Sequence, residues 1–474
     1  MIGPLCAAPA IGGARARRRR RGPALALALV LALGAIHAEA RTIEVPPAPG
    51  AAAAAIATAA PGDVVILKSG VHAGPLAIDR AITLRGEPGA MIDGRGSGTV
   101  LRVTAPGSAV ENLALRGSGG SVQSTDAGIH VSGASDVALR GLEISDVLYG
   151  IYAERSERLH VEDCRLTGRV APMEESAGGN GIHLWYSSDA RLSRNTIERF
   201  QDGIYLSFAD RTHATENRLW DCGRYGLHTM YCQATELIGN LFTRNVAGCA
   251  IMFTDHLLVE RNAIRHNRGP RTYGLLLRDC SAGRFVGNQL VDNTVAIFMD
   301  NSNRNRIQEN LFQDNGWGIL MFSSCAGNET SGNTFLNNDY PVALDMKYSD
   351  NRFDDGRRGN FWSDNAPYDL DANGVGDIPY SPVSAFAFVS KQYPDLAILA
   401  KSPAVAAITV AERVFPALRP SEIVDRFPLI SPLAVPHPRG EESGRSGTAW
   451  GPAAAFAALL STGVLGLLWR GRAR

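Results

Sequence analysis

A small residue followed by an aliphatic one recurs through the middle of this 474-residue chain. It stands at Gly128-Ile129, Gly150-Ile151, Gly181-Ile182, Gly203-Ile204, Gly226-Leu227, Ala250-Ile251, Gly274-Leu275, Ala296-Ile297, Gly318-Ile319 and Pro341-Val342, at intervals of 22, 31, 22, 23, 24, 24, 22, 22 and 23. Recurrence at such a period marks a solenoid, because one repeat cannot bury its apolar face alone and must stack on its neighbours. Each period holds two or three short β-patterned runs separated by Gly, Asn, Asp and Ser, and no long helical pattern. The predicted fold is all-β, a right-handed parallel β-helix with about 22 residues per coil and strands stacked ~4.8 Å apart. A second marker runs in step, an Asn before a short apolar alternation, as in "RNTIERF", "GNLFTRN" and "ENLFQDN". It predicts side-chain ladders along the stack. The interval of 31 contains "RVAPMEESAGG", Arg169 to Gly179, expected as an ejected loop. Residues 42 to 127 carry weaker signals and are expected to form the first coils and a cap.

The termini read differently. "RARRRRRG", then "PALALALVLALGAI" and "AEA", predicts a secretory signal peptide over residues 1–40, cut after Ala40. The β-helix is expected over 41–360, a C-terminal cap with an Asp-rich loop and a helical segment over 361–433, and a linker over 434–452. The apolar stretch 453–469, followed by Arg470, Arg472 and Arg474, reads as a transmembrane helix or a removable sorting tail. The expected location is therefore periplasmic, with the C-terminus anchoring the protein to the inner membrane. Six cysteines follow the signal peptide, and an exported compartment permits disulfides without revealing their pairing. The net charge is zero, so no global field points to nucleic acid as a partner.

Alternation along a strand assigns side chains to faces. With the residue after each small anchor pointing inward, the next faces out. That column reads His130, Tyr152, His183, Tyr205, His228, Met252, Leu276, Phe298, Leu320 and Ala343, with Trp185, Met230, Asp300, Phe322 and Asp345 in the next outward column. A contiguous apolar and aromatic outer face suggests a partner-docking patch. Its candidates are His130, Tyr152, His183, Trp185, Tyr205, His228, Met252, Phe298 and Phe322. Cover by the chain's own C-terminal segment, or plain stacking, is the competing reading. Within the patch His228, Met230 and Met252 offer the imidazole and thioether donors that suit Cu(I), against Met as a simple gap filler. Six residues after the anchor come Cys232, His256 and Cys280, a second soft-metal candidate in a column where ordinary turn stacking competes. The motif D-x-D-x-N-G-x-G-D, with Asp369, Asp371, Asn373 and Asp377, resembles the start of a Ca²⁺ loop; an Asx-bonded turn competes equally.

The coils, the loop before "GNGIHLW", the "GNFWSDNAPYDLDANGVGDIPY" segment and "SPAVAAITVAERVFPALRPSEIVDRFPLISPL" together resemble the NosD family. The resemblance covers roughly Thr42 to Leu433. It implies a periplasmic β-helix accessory protein for building the copper–sulfur centres of nitrous oxide reductase, a docking platform rather than an enzyme, with Cu(I) in transit and a sulfur species as alternative cargoes. The partners it implies are an ABC permease with its ATPase, a copper chaperone lipoprotein and the reductase. It carries over no ligand set residue by residue. A polysaccharide lyase, hydrolase or uronan epimerase is the alternative, since such β-helices use the same outer face. The face offers mainly Asp300 and Asp345, two coils apart, while Asp126 and Asp202 precede other coils without pairing, so the convergent pair that such chemistry needs is missing.

Overall fold

The computed structural model describes residues 40–170, 178–344, 349–386, 402–415 and 423–435, together with residues 389, 396 and 399. The expected signal peptide lies outside the described residues, apart from its last residue.

The short β runs wind into three parallel sheets that share one interior, a right-handed solenoid of about 13 coils. Sheet 1 has 12 strands and contains the longest, such as Ala127–Ser132, Asp202–Ser207 and Tyr225–Met230. Sheets 2 and 3 have 13 strands each, mostly three residues long. Inward residues such as Ile129, Val131, Leu227 and Ile251 are fully buried in one continuous apolar core. The helix Ala51–Thr58 closes the first coil by burying Ala52 and Ile56.

Two devices fix the stacking. At Gly226 a Cβ would lie 2.6 Å from the carbonyl oxygen of Gly248, and at Gly248 it would lie 2.7 Å from that of Gly274. This close approach of backbones explains why the repeat carries a small residue there. The second is a buried Asn ladder. Asn195, Asn217, Asn240, Asn262, Asn288, Asn310, Asn333 and Asn360 each sit one coil apart, and each Nδ2 donates to the next Oδ1 at 2.9–3.0 Å. That Oδ1 also accepts the preceding Asn backbone N–H, so turns without sheet bonds still satisfy their donors. The expected ladders are present.

The register corrects one anchor. Leu227 pairs with Cys249, and Cys249 with Leu275, so Gly248-Cys249 is the anchor rather than Ala250-Ile251. The Ala-Ile pair imitates the motif two residues later. The coil spacings there, read along the Asn ladder, are 22 and then 26 residues, the surplus forming the turn around Gly269.

The C-terminal segment closes the other end. Trp362 stacks on Phe335 at 4.3 Å and donates from Nε1 to Asp425 Oδ2 at 2.8 Å. Asp425 also accepts the Asn360 backbone N–H, ending the ladder, and Arg426 forks onto Asp354. The helix Pro403–Val414 starts at Ser402, whose Oγ accepts the Val405 N–H. The six cysteines that follow the expected signal peptide, Cys164, Cys222, Cys232, Cys249, Cys280 and Cys325, are all buried and free, so no disulfide staples the coils.

The expected transmembrane helix is corrected. Among the described residues no helix is long and apolar enough to cross a membrane, and 453–469 lie outside them. The fold is a parallel β-solenoid with a short helical cap, and the membrane anchor drops out of the account.

Candidate functional site

The outward face of sheet 1 carries the chemistry. Register places Arg102, His130, Tyr152, His183, Tyr205, His228, Ala250, Leu276, Phe298, Leu320 and Ala343 in one column. Its first part is an alternating His/Tyr stack, with centroids 5.1, 4.7, 4.7 and 4.7 Å apart from His130 through Tyr152, His183 and Tyr205 to His228. Packing shields this face strongly: His130 and His228 are only 5% and 6% exposed. Burial between tyrosines pushes His183 down to about 4. Burial likewise lowers His130, with the Arg102 charge adding to the effect. These imidazoles are held neutral because their charged forms lose solvation.

Beneath His228 lies a fully buried carboxylate. Asp202 accepts two bonds from Arg224 at 2.9 and 2.6 Å and faces His228 Nδ1 at 3.1 Å. Burial opposes its charge, yet the His228 and Arg224 hydrogen bonds hold its carboxyl below the usual carboxylate range. An ionised carboxylate can only accept, so His228 Nδ1 carries a proton and donates it to Asp202. The His228 Nε2 is buried and has no hydrogen-bond partner.

The remaining candidates fall as follows. Met252 is opposite Met230, not one coil from His228, so the two thioethers are cross-strand neighbours and both are half-buried. Trp185 and Phe322 are also half-buried, and Arg155 sits 5.4 Å over the Trp185 ring. Phe298 packs with Leu276 and Val295, with Met252, Tyr273, Trp317, Leu320 and Phe322 around them. Phe386 of the C-terminal segment approaches Tyr340 at 6.0 Å, so the chain itself covers the last rungs of the face.

The Cys232, His256, Cys280 column is a misregister. Bridges join Gln233 to Asp255 and Asp255 to Ser281, so Thr254 stands between the two cysteines. His256 occupies an exposed turn at φ 55°. The Cys232 thiol donates inward to the Leu206 carbonyl at 3.6 Å and the Cys280 thiol to that of Ile251 at 3.2 Å. Burial pushes these thiols up to about 11 and about 12. Buried, protonated thiols bonded to the backbone are structural.

In the Asp-rich loop, oxygens of Asp369, Asp371 and Asp377 come within 4.8 Å of one another. Those oxygens already accept loop N–H groups: Gly374 to Asp369 at 2.9 Å and Leu370 to Asp377 at 2.7 Å. Asn373 Oδ1 accepts from Val375, the pattern of an Asx-bonded turn.

Sequence reasoning missed one array. Tyr186, Phe208, Tyr231 and Phe253 stack on successive coils at 4.6, 5.1 and 4.8 Å, with ring planes nearly parallel at 1°, 12° and 15°. They are 49%, 39%, 47% and 38% exposed, and their φ values are 49°, 51°, 55° and 50°. Bulky residues in left-handed turns are rare. The available signal was an aromatic recurring at the coil period one residue beyond the Trp185 and Met230 column.

The family described as "Periplasmic copper-binding protein (NosD)" matches residues 169–367. A Pseudomonas aeruginosa protein named "Probable ABC transporter binding protein NosD" is 31% identical over 388 residues, covering 78% of this chain and 89% of that one. One of the same name from Stutzerimonas stutzeri is 28% identical over 380 residues, covering 77% and 86%. Among solved structures, the Azotobacter vinelandii mannuronan C-5 epimerase AlgE6 A-module is similar at TM-score 0.52 and 15% identity, covering 65% of this chain and 92% of that one. A PL6 alginate lyase in complex with a trisaccharide is similar at TM-score 0.50 and 12% identity, covering 66% and 82%. These two show the β-helix fold and nothing of activity. The length and identity of the first alignment establish the relation: the chain belongs to the NosD family.

Proposed function

We propose that this chain is a periplasmic accessory protein of nitrous oxide reductase maturation. It serves as a docking platform that works with an ABC permease and ATPase, and with a copper chaperone lipoprotein, while copper–sulfur centres are assembled in the reductase. The observation that carries the reading is the 31% identity to a NosD protein across most of both chains. The aromatic ladder beside sheet 1 supports it. Four stacked exposed rings on a rigid frame form an apolar strip of the kind that partners recognise. On this reading the protein is an accessory factor and not an enzyme. Asp300, one of the two carboxylates considered for polysaccharide chemistry, is ion-paired with Arg278 at 3.3 Å, and Asp345 lies outside the described residues.

The test is the copper content of nitrous oxide reductase in a strain lacking this gene. The parent gene is expected to restore a copper-loaded reductase. A Tyr186→Asn, Phe208→Asn, Tyr231→Asn variant is expected to accumulate as folded protein without restoring it. A reductase fully loaded with copper in the deletion strain removes the accessory role, and full rescue by the variant removes the ladder from the docking surface.

A further inference from the structure

The aromatic ladder is the middle of a longer column. The Arg155 N–H donates to the Trp185 carbonyl, the Phe253 N–H to the Arg278 carbonyl and the Asp279 N–H to the Asp300 carbonyl, and the rungs between follow the same pattern. One position per coil therefore reads Arg155, Tyr186, Phe208, Tyr231, Phe253 and Asp279, and all six hold φ between 48° and 55°. The column has a cation at one end, four rings in the middle and an anion at the other end. Beside it an outward strand column runs in step, from Glu154 through Trp185, Ser207, Met230 and Met252 to Arg278. There the signs are reversed, with the anion first and the cation last.

The end charges of the ladder column are not consumed inside the chain. Arg155 is exposed and lies 5.4 Å over the Trp185 ring, and Asp279 accepts from Asn301 Nδ2. Among the described residues neither is ion-paired. In the second column Arg278 meets Asp300 at 3.3 Å and Glu154 accepts from Ser132 at 2.8 Å. The rings narrow the choice of occupant. Phe208 and Tyr231 each have both faces covered by the rungs on either side, so their edges point outward and a flat ligand finds no platform. The four rings stay 38–49% exposed, which leaves an apolar ridge with a charge at each end.

We propose that the strip from Arg155 to Asp279 is the interface of a two-fold dimer, in which a second copy of this chain lies antiparallel on it. A two-fold axis crossing the strip between Phe208 and Tyr231 returns the column onto itself in reverse. It sets Arg155 against the partner's Asp279, Tyr186 against the partner's Phe253, and Phe208 against the partner's Tyr231. The same operation sets Glu154 against the partner's Arg278. One symmetry operation thus opposes both sets of end charges and lays ring against ring. A parallel arrangement would set Arg155 against its own copy, and like charges face to face disfavour it. Five steps of ~4.8 Å make the strip about 24 Å long. Reaching the roughly 800 Å² per partner of a standard interface would take a width of over ~30 Å, so the dimer is weak and exchangeable. This goes beyond the accessory reading and does not rest on it, although both use the ladder: the second copy covers the rings until another partner displaces it.

The test is sedimentation velocity of the exported chain from low to high micromolar concentration, where a monomer–dimer equilibrium is expected. Arg155→Asp puts like charges together at both ends and is expected to weaken the dimer about tenfold. Adding Asp279→Arg to it should restore the parent's affinity. Both residue types already occupy such turns, as Asp189 does at φ 58° and Arg211 at φ 51°, so both variants are expected to fold. Tyr231→Asn keeps the charges and should also weaken association. A parent that stays monomeric at the highest concentration overturns the dimer. A double variant that associates no more tightly than Arg155→Asp overturns the antiparallel arrangement. The two readings fail separately, since copper loading of the reductase in the deletion strain does not enter this measurement.

Discussion

His183 shows how one residue couples this face to pH. Its imidazole lies between Tyr152 and Tyr205, and burial pushes it down to about 4. In the unfolded chain it would titrate near 6.5. Between those values the unfolded state binds the proton and the folded state does not. The contribution of His183 to stability is therefore complete above about 6.5 and is lost as pH falls towards 4. Thermal unfolding at pH 7 and pH 5 should show the parent losing more stability than His183→Gln, and equal losses would refute the assignment. The ladder residues obey a different rule. Phe208 and its neighbours hold φ near 50°, where a non-glycine residue costs about 1–3 kcal/mol. Asn adopts that region readily, which is why the Asn variants above are expected to remain folded.

At the scale of elements, the Asn ladder carries the turns. Asn262 accepts both the backbone N–H and the Nδ2–H of Asn240, and donates to Leu237 O and Asn288 Oδ1. Asn262→Ala leaves those donors buried and unpaired, so a loss of about 1–3 kcal/mol in denaturant unfolding is expected. A change under ~0.5 kcal/mol would mean that water replaces the amide. The ladder was legible because Asn precedes each apolar alternation. The Gly column was legible except at Ala250, where an Ala-Ile pair copied the motif and moved Met252 and His256 into the wrong columns. Such a slip is invisible to pattern counting, since both phases place apolar residues inward; only paired backbones decide it. The aromatic ladder was not legible as a site, because turn residues at positive φ lie outside the strand alternation. The link from Asp202 to His228 spans two coils and required coordinates.

At the scale of the molecule, stability depends on how the stack ends. A solenoid is a one-dimensional assembly in which each coil touches only its neighbours, so an open end frays. Here Asp425 gathers the donors of the last coil, from Asn360 and Trp362, and the nearby Phe427 N–H of its own segment. Burial pushes its carboxyl up to about 6 against the pull of those bonds. Asp425→Ala should raise hydrogen exchange in the strands Glu329–Ser331 and Thr334–Leu336 while leaving the first coils protected. Uniform loss of protection would show instead that the solenoid unfolds as one unit.

The coupling of each Asn to its counterpart one turn onward restricts how such a chain can change size. A partial rung would leave amides facing the wrong neighbour and would turn inward residues out. Growth and contraction are thus quantised: whole rungs can be added or removed, and any surplus must bulge at a corner, as it does around Gly269. The molecule therefore behaves as a ruler graduated in coils, holding groups on its outer wall at distances that are multiples of one fixed step.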